Sequence, residues 1–193
     1  MALTTYTAGE VLTAASLNDN LAYAVTVPAA VPGGLVCVKA ETAFSAATTV
    51  TADGVFTSSY TNYLINIIYT ATSPGDQFMK LRASATSAST NYNQNYIAWS
   101  SSVTNAQSLA QTSFLLADDG AATSSIQLTL FGPQLAAATA IQSQGVRNLA
   151  TSDPRGQIVV GNHSTATAYD GIEILTPNGM TGSYTIYGYA KTV

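Results

Sequence analysis

The chain has 193 residues, of which only 8 % are charged, and its formal net charge at pH 7 is −4. An average soluble domain carries about 25 % charged residues. The six lysines and arginines form no cluster, which argues against the basic stripe that binds nucleic-acid phosphates. The longest apolar runs fall well short of the roughly 20 residues that cross a bilayer, so we expect no membrane insertion. Such a neutral surface favours association with copies of the same chain.

The first 33 residues differ from the rest of the chain. Thr13 is a suitable N-cap, and Leu17, Leu21 and Val25 recur at the spacing of one helical stripe. A helix this short needs a partner surface to be stable in water. Prolines and glycines follow it, so the sequence predicts a short helical arm with a linker at 1–33.

The arm also carries a motif. The run Tyr6–Asn18, YTAGEVLTAASLN, resembles the short N-terminal segment of many bacteriophage tail-fibre and tail-associated proteins. In that family the segment is proximal to the virion and a β domain forms the distal head. The resemblance implies an anchor that binds other virion proteins of the tail or capsid through residues of the arm. These anchoring residues are Leu12, Leu17, Asn18, Leu21 and Val25. The alternative is a helix that packs on its own domain.

After the arm, short β-forming runs follow one another and turn signals separate many of them. The candidate strands are 34–40, 46–51, 62–71, 77–84, 92–99, 111–117, 124–131, 139–146, 156–162, 168–175 and 181–191. This pattern predicts a mainly β fold over 34–193, an antiparallel β-sandwich that is jelly-roll-like. A β-solenoid is the main competitor, but no fixed period of 20–30 residues recurs.

The last two candidate strands predict a closing β-hairpin, with Pro177 and Gly179 in its turn. Bulky side chains alternate onto both faces of its second strand, so neither face has the pattern of simple solvent exposure. In a chain with so few charges, a subunit interface explains this pattern better than a monomeric core. We therefore expect Tyr184, Tyr187 and Tyr189 to lie between subunits.

Two segments extend the resemblance. Residues 53–67 and 170–189 are similar to the glycine–aromatic and tyrosine–glycine strand patterns of phage fibre head domains of the jelly-roll, tumour-necrosis-factor-like kind. Those domains are typically homotrimers. The resemblance thus implies three subunits around an axis.

Few residues suit catalysis. Asp170 and Glu173 are the best carboxylates for a glycosidase pair, together with Asp118 and Asp119, but aspartates before glycine are typical of turns. The single histidine, His163, has no nucleophile elbow beside it, and we expect it to be solvated. No metal-ligand spacing and no cofactor motif is present. We therefore predict a protein that is not an enzyme and holds neither a metal nor a cofactor.

Two further predictions concern single stretches. The only cysteine, Cys37, is expected to be a small core hydrophobe. The stretch Asn91–Ser100 combines aromatic rings with carboxamides, a mixture suited to sugar recognition. Its candidate glycan contacts are Tyr92, Asn93, Tyr96 and Trp99, and the alternative for the rings is core or intersubunit packing.

The function expected from these observations is a non-enzymatic virion structural protein, a short homotrimeric tail fibre or tail appendage that contacts the host surface. A capsid decoration or head-fibre protein remains open, because the anchor motif does not identify its socket. A carbohydrate-binding adhesin module is a second class. A depolymerase of surface polysaccharide is the third.

Overall fold

The computed structural model describes residues 34–117, 123–148 and 155–191, so the predicted arm and its anchoring residues lie outside the described part. The described residues form eleven strands and no helix, which confirms a mainly antiparallel β fold. No helix of this part is therefore long and apolar enough to span a membrane. The strands are β1 (Leu35–Ala52), β2 (Tyr60–Ala71), β3 (Gln77–Ala83), β4 (Thr86–Ser87), β5 (Tyr92–Trp99), β6 (Val103–Gln111), β7 (Phe114–Ala117), β8 (Thr123–Phe131), β9 (Thr139–Asn148), β10 (Arg155–His163) and β11 (Gly171–Ala190).

All eleven strands belong to one curled antiparallel sheet. Its order is β4-β3-β11-β2-β8-β9-β10-β5-β6, while β1 pairs with β11 and β7 pairs with β3. The strand β7 also contacts β5, β9 and β10, so the sheet curls back over a common core. Among the described strands, β1 pairs only with β11 and β6 only with β5. Each of these two strands therefore has one edge at which its backbone N–H and C=O groups are not paired with another described strand.

The predicted closing hairpin is wrong, because 171–190 is one long strand. Its first half pairs with β3 and its second half with β2, while β1 runs along its other side. Pro177 and Gly179 lie where the partner changes, and Gly179 has a φ of +77°. There Thr72 donates its N–H to the Gly179 carbonyl at 3.1 Å. Pro177 has no N–H to donate, but no described strand is paired with it at this position. The proline is therefore tolerated within the strand, and the chain does not turn back.

The core follows from the alternation of side chains along each strand. In β8, for example, Ser124, Ile126, Leu128 and Leu130 are buried on one face. Neighbouring strands repeat this pattern in register, and the buried faces meet inside the curled sheet. The largest fully buried side chains are Tyr63, Tyr69, Tyr92, Phe114, Ile65, Ile67, Met79, Leu81, Leu116, Leu128, Leu130 and Ile172.

Two strands were not predicted from the sequence. In β6 every side chain is exposed or half-buried, so no apolar alternation indicates it. The two-residue β4 pairs with β3 across a tight turn in which Ser84 and Ala85 both have positive φ, without the glycine or asparagine typical of such turns. The first two candidate strands are also one continuous strand, β1, with several register shifts against β11.

Candidate functional site

The exposed hydrophobic residues are concentrated on one side of the sheet. We call the side of β1, β11, β2, β8, β9, β10, β5 and β6 that faces away from the core the outer face. Among the described residues, twelve large hydrophobic side chains are at least 40 % exposed, and eleven of them project from the outer face. Only Leu135 of that set lies in a loop, the one after β8. An exposed apolar surface this concentrated is typical of a binding or assembly surface.

The outer face is also free of charge over six adjacent strands. No described side chain that projects outward from β2, β8, β9, β10, β5 or β6 is charged. Carboxamides take the place of charges there. Asn66, Gln127 and Gln144 lie side by side on β2, β8 and β9. Gln127 donates to Asn66 at 3.4 Å and Gln144 donates to Gln127 at 3.2 Å.

A groove of about 630 Å³ crosses one end of this face. In the register of the sheet, Ile68, Ser125, Val146, Gly156 and Trp99 follow one another on successive strands. The indole of Trp99 lies over the backbone of its neighbour, since a Cβ on Gly156 would be 2.4 Å from the Trp99 Cε2. Because Gly156 has no side chain, the indole can lie directly against its backbone. We call this region the tryptophan groove.

The opposite end of the outer face carries a second apolar group. Leu35 of β1 pairs with Tyr189 of β11, and Phe131 of β8 pairs with Asn62 of β2, near the end of the β11–β2 ladder. Leu35, Tyr189 and Phe131 are 40–46 % exposed. The side chain of Leu135 bends back toward Gly132, next to Phe131. We call these four apolar residues, Leu35, Phe131, Leu135 and Tyr189, the tyrosine end.

The four predicted glycan contacts do not share a surface. Side chains alternate along β5, so Tyr92 and Tyr96 point to the inner side while Asn93 and Trp99 point outward. Tyr92 is fully buried, and its hydroxyl accepts the Leu81 N–H at 2.9 Å. Burial raises the pKa of this hydroxyl. The prediction treated a stretch of sequence as one surface, whereas a strand presents only every second residue to a ligand.

The three predicted interface tyrosines are divided in the same way. Tyr184 is 2 % exposed within the single chain, so its ring belongs to the core of its own subunit. Tyr187 is half-buried on the outer face, and Tyr189 is 40 % exposed there. Only Tyr187 and Tyr189 are thus available to another subunit.

The carboxylates considered for catalysis take part in structural contacts around one arginine. Arg82 binds Asp53 at 2.7 Å, and this hydrogen bond raises the pKa of the guanidinium. Asp170 accepts the Ser84 N–H at 3.2 Å, and Glu173 accepts the Ser87 hydroxyl. These contacts hold the turn between β3 and β4. Asp118 and Asp119 lie outside the described residues.

Two single-residue predictions differ from the structure. His163 is 1 % exposed, not solvated, because it ends β10 on the inner face and its ring meets those of Tyr92 and Tyr169 edge-on. Its Nδ1 lies 3.1 Å from the Tyr169 hydroxyl oxygen. Cys37 is exposed and not in the core, because the alternation of β1 places it on the outer face opposite Tyr187. A local motif does not show which face of a strand a residue occupies.

The buried histidine makes stability depend on pH. Burial lowers the pKa of His163, and the nearby backbone of Thr90 and Thr165 only partly opposes this effect. The unfolded chain therefore takes up a proton near pH 6.5 that the folded chain resists, and stability falls as the pH drops below 6.5. We expect the melting temperature to be lower at pH 5 than at pH 7.5. In His163→Gln the difference should shrink, and an unchanged difference would contradict this origin.

Comparisons with protein-family models, with curated proteins and with solved structures gave no match for this chain. Within the described residues, no group of three or more histidine, cysteine or carboxylate side chains is placed to hold a metal ion. The concentration of exposed apolar side chains makes the outer face, with its groove and its tyrosine end, the candidate functional site.

Proposed function

We propose that this chain is a self-associating structural subunit and that its tyrosine end lies against other copies of the same chain. The observation that carries the proposal is the concentration of exposed hydrophobic residues on the outer face, which is free of charge over six adjacent strands. Exposed aromatic residues are frequent energetic anchors of interfaces, and charge is depleted at interface cores. The open edge of β1, the strand that contains Leu35 of the tyrosine end, gives further surface on which copies can meet.

The particular protein we infer is a component of a bacteriophage virion: a homotrimeric tail fibre or tail appendage with a jelly-roll-like head. Support comes from the phage-like motif Tyr6–Asn18, from the strand pattern of residues 170–189, and from the mainly β fold. In this proposal residues 1–33 bind the virion and the head projects from it. The three subunits assemble in the host cytoplasm and leave the cell as part of the phage particle.

Labelling of particles tests the virion assignment. Antibodies against the β domain, bound to purified particles from cells that express the gene, should decorate a fixed position in electron micrographs. Label on the tail supports a fibre or appendage, and label on the capsid supports the decoration or head-fibre alternative. Particles without label, next to free chain in the same lysate, would contradict a virion protein. Particles labelled with antibodies against a known capsid protein serve as the positive control.

A further inference from the structure

The tryptophan groove is separated from the tyrosine end along the outer face. Two outward residue rows of the sheet lie between the row of Trp99 and the row of Phe131: the carboxamide row and the row that contains Thr129 and Gln142. The tryptophan groove is lined by Ile68 on β2, by Ser125 and Val146 on the two strands between, and by the indole that lies over β10. Three strand spacings separate β2 from β10, which corresponds to about 14 Å. We propose that this groove binds a neutral oligosaccharide.

The indole is prepared for a sugar ring. A side chain at position 156 would collide with the ring, so the indole lies directly against the backbone of Gly156. Trp99 is nevertheless 40 % exposed. A large aromatic ring with an exposed face offers an apolar platform, and little conformational freedom is lost when a ligand covers it. Such a platform fits the C–H face of a sugar ring.

The carboxamides beside the indole supply the complementary polar groups. Asn66, Gln127 and Gln144 line the groove together with Ser125. Each carboxamide donates two hydrogen bonds and accepts at an oxygen, which matches hydroxyl groups that both donate and accept. The bonds among these three side chains fix their orientation and leave further donors and acceptors for a ligand. Several such groups in one row can therefore bind neighbouring hydroxyls.

The absence of charge selects the kind of sugar. The carboxamides, Ile68, Ser125, Val146 and Trp99 that line the groove are uncharged, while Arg147 and Arg155 line a separate, adjoining pocket that shares Trp99 with it. Sialic acid, uronic acid, sulfate or phosphate groups would lose water there without gaining an ion pair. Neutral hexoses and N-acetylhexosamines lose less hydration free energy when they bind. The carboxamide row also distinguishes the groove from the tyrosine end, where apolar side chains dominate and a protein surface fits better.

The chain contains its own probe, because Trp99 is its only tryptophan. The emission of the full-length chain is titrated with maltohexaose, cellohexaose and chitohexaose, and with a heparin hexasaccharide as the charged comparison. We expect a saturable change with at least one neutral sugar, half-complete below about 1 mM. No saturation with any neutral sugar, or equal saturation with heparin, would overturn the proposal.

Two variants of the same strand locate the binding. Gln144→Leu removes a groove carboxamide, whereas Gln142→Leu removes an exposed one of the next outward row on β9. The first should weaken binding about five- to tenfold, since it loses a hydrogen bond, and the second should leave binding unchanged. Equal affinities of the two variants would contradict a site in the groove.

The groove could instead be occupied by a second copy of the chain. The mass of the Trp99→Ala variant, measured by light scattering, distinguishes this occupant from a sugar. We expect this variant to keep the assembly state of the unmodified chain. A lower mass would make the groove a subunit interface and overturn the sugar site. This inference goes beyond the structural role, and the two fail separately: a monomeric chain that still binds the sugar refutes only the self-association.

Discussion

Tyr184→Ala should lower the free energy of unfolding by about 3–5 kcal/mol, the cost typical of truncating a buried aromatic residue. The ring is 2 % exposed and belongs to the core cluster with Ile67, Ile126 and Ile186. Its removal leaves a cavity that the strands on both sides of β11 cannot fill without shifting. Urea unfolding followed by circular dichroism, at one fixed chain concentration, measures the change.

The matched control is Tyr184→Phe, which keeps the ring and removes only the hydroxyl. Thr42 lies opposite Tyr184 in the sheet, and burial raises the pKa of the tyrosine hydroxyl. The control should lose about 1 kcal/mol, the usual net worth of one hydrogen bond. If Tyr184→Ala unfolds like the unmodified chain but dissociates, the tyrosine lies between subunits and its placement in the core is incorrect.

Tyr189→Asp should convert the assembly into single chains of 19.9 kDa while the fold stays intact. Tyr189 is 40 % exposed, and its neighbours at the tyrosine end are apolar. A carboxylate buried there against another subunit would lose its hydration without a partner, which costs several kcal/mol. Light scattering measures the mass, and circular dichroism checks the fold.

Gln107→Asp is the matched control for this charge. Gln107 projects from the same face, at the exposed edge strand β6, away from the tyrosine end. The same charge at this position should leave the mass unchanged. An assembly that survives Tyr189→Asp would remove the tyrosine end from the interface, and dissociation of both variants would indicate a general effect of charge.

The strands could be predicted from the sequence because most of them alternate visibly. Ile126, Leu128 and Leu130 of β8 are separated by polar residues, and turn signals surround this strand. The strand β6 has no apolar side that packs on the chain, so its sequence does not differ from that of a loop. Pro177 was misleading for a tertiary reason: a proline is tolerated in a strand where the neighbouring strand changes.

The sites were harder to predict than the strands, since a site depends on how strands are placed side by side. Trp99 was identified from its own stretch, but its partners Asn66, Gln127 and Gln144 come from three other strands. Their proximity depends on the strand order, which local patterns do not encode. The face of each residue could have been read from the alternation alone. Counted from Trp99, Asn93 lies on the same side of β5 and Tyr92 and Tyr96 on the other.

The central claim is that the chain self-associates, and sedimentation equilibrium of the unmodified full-length chain tests it most directly. We predict a mass of about three times 19.9 kDa at micromolar concentration, unchanged on moderate dilution. Added salt should not dissociate the assembly, because its proposed contacts at the tyrosine end are apolar and not ionic. A stable species of 19.9 kDa at tens of micromolar, with the circular dichroism of a folded β protein, would contradict the claim.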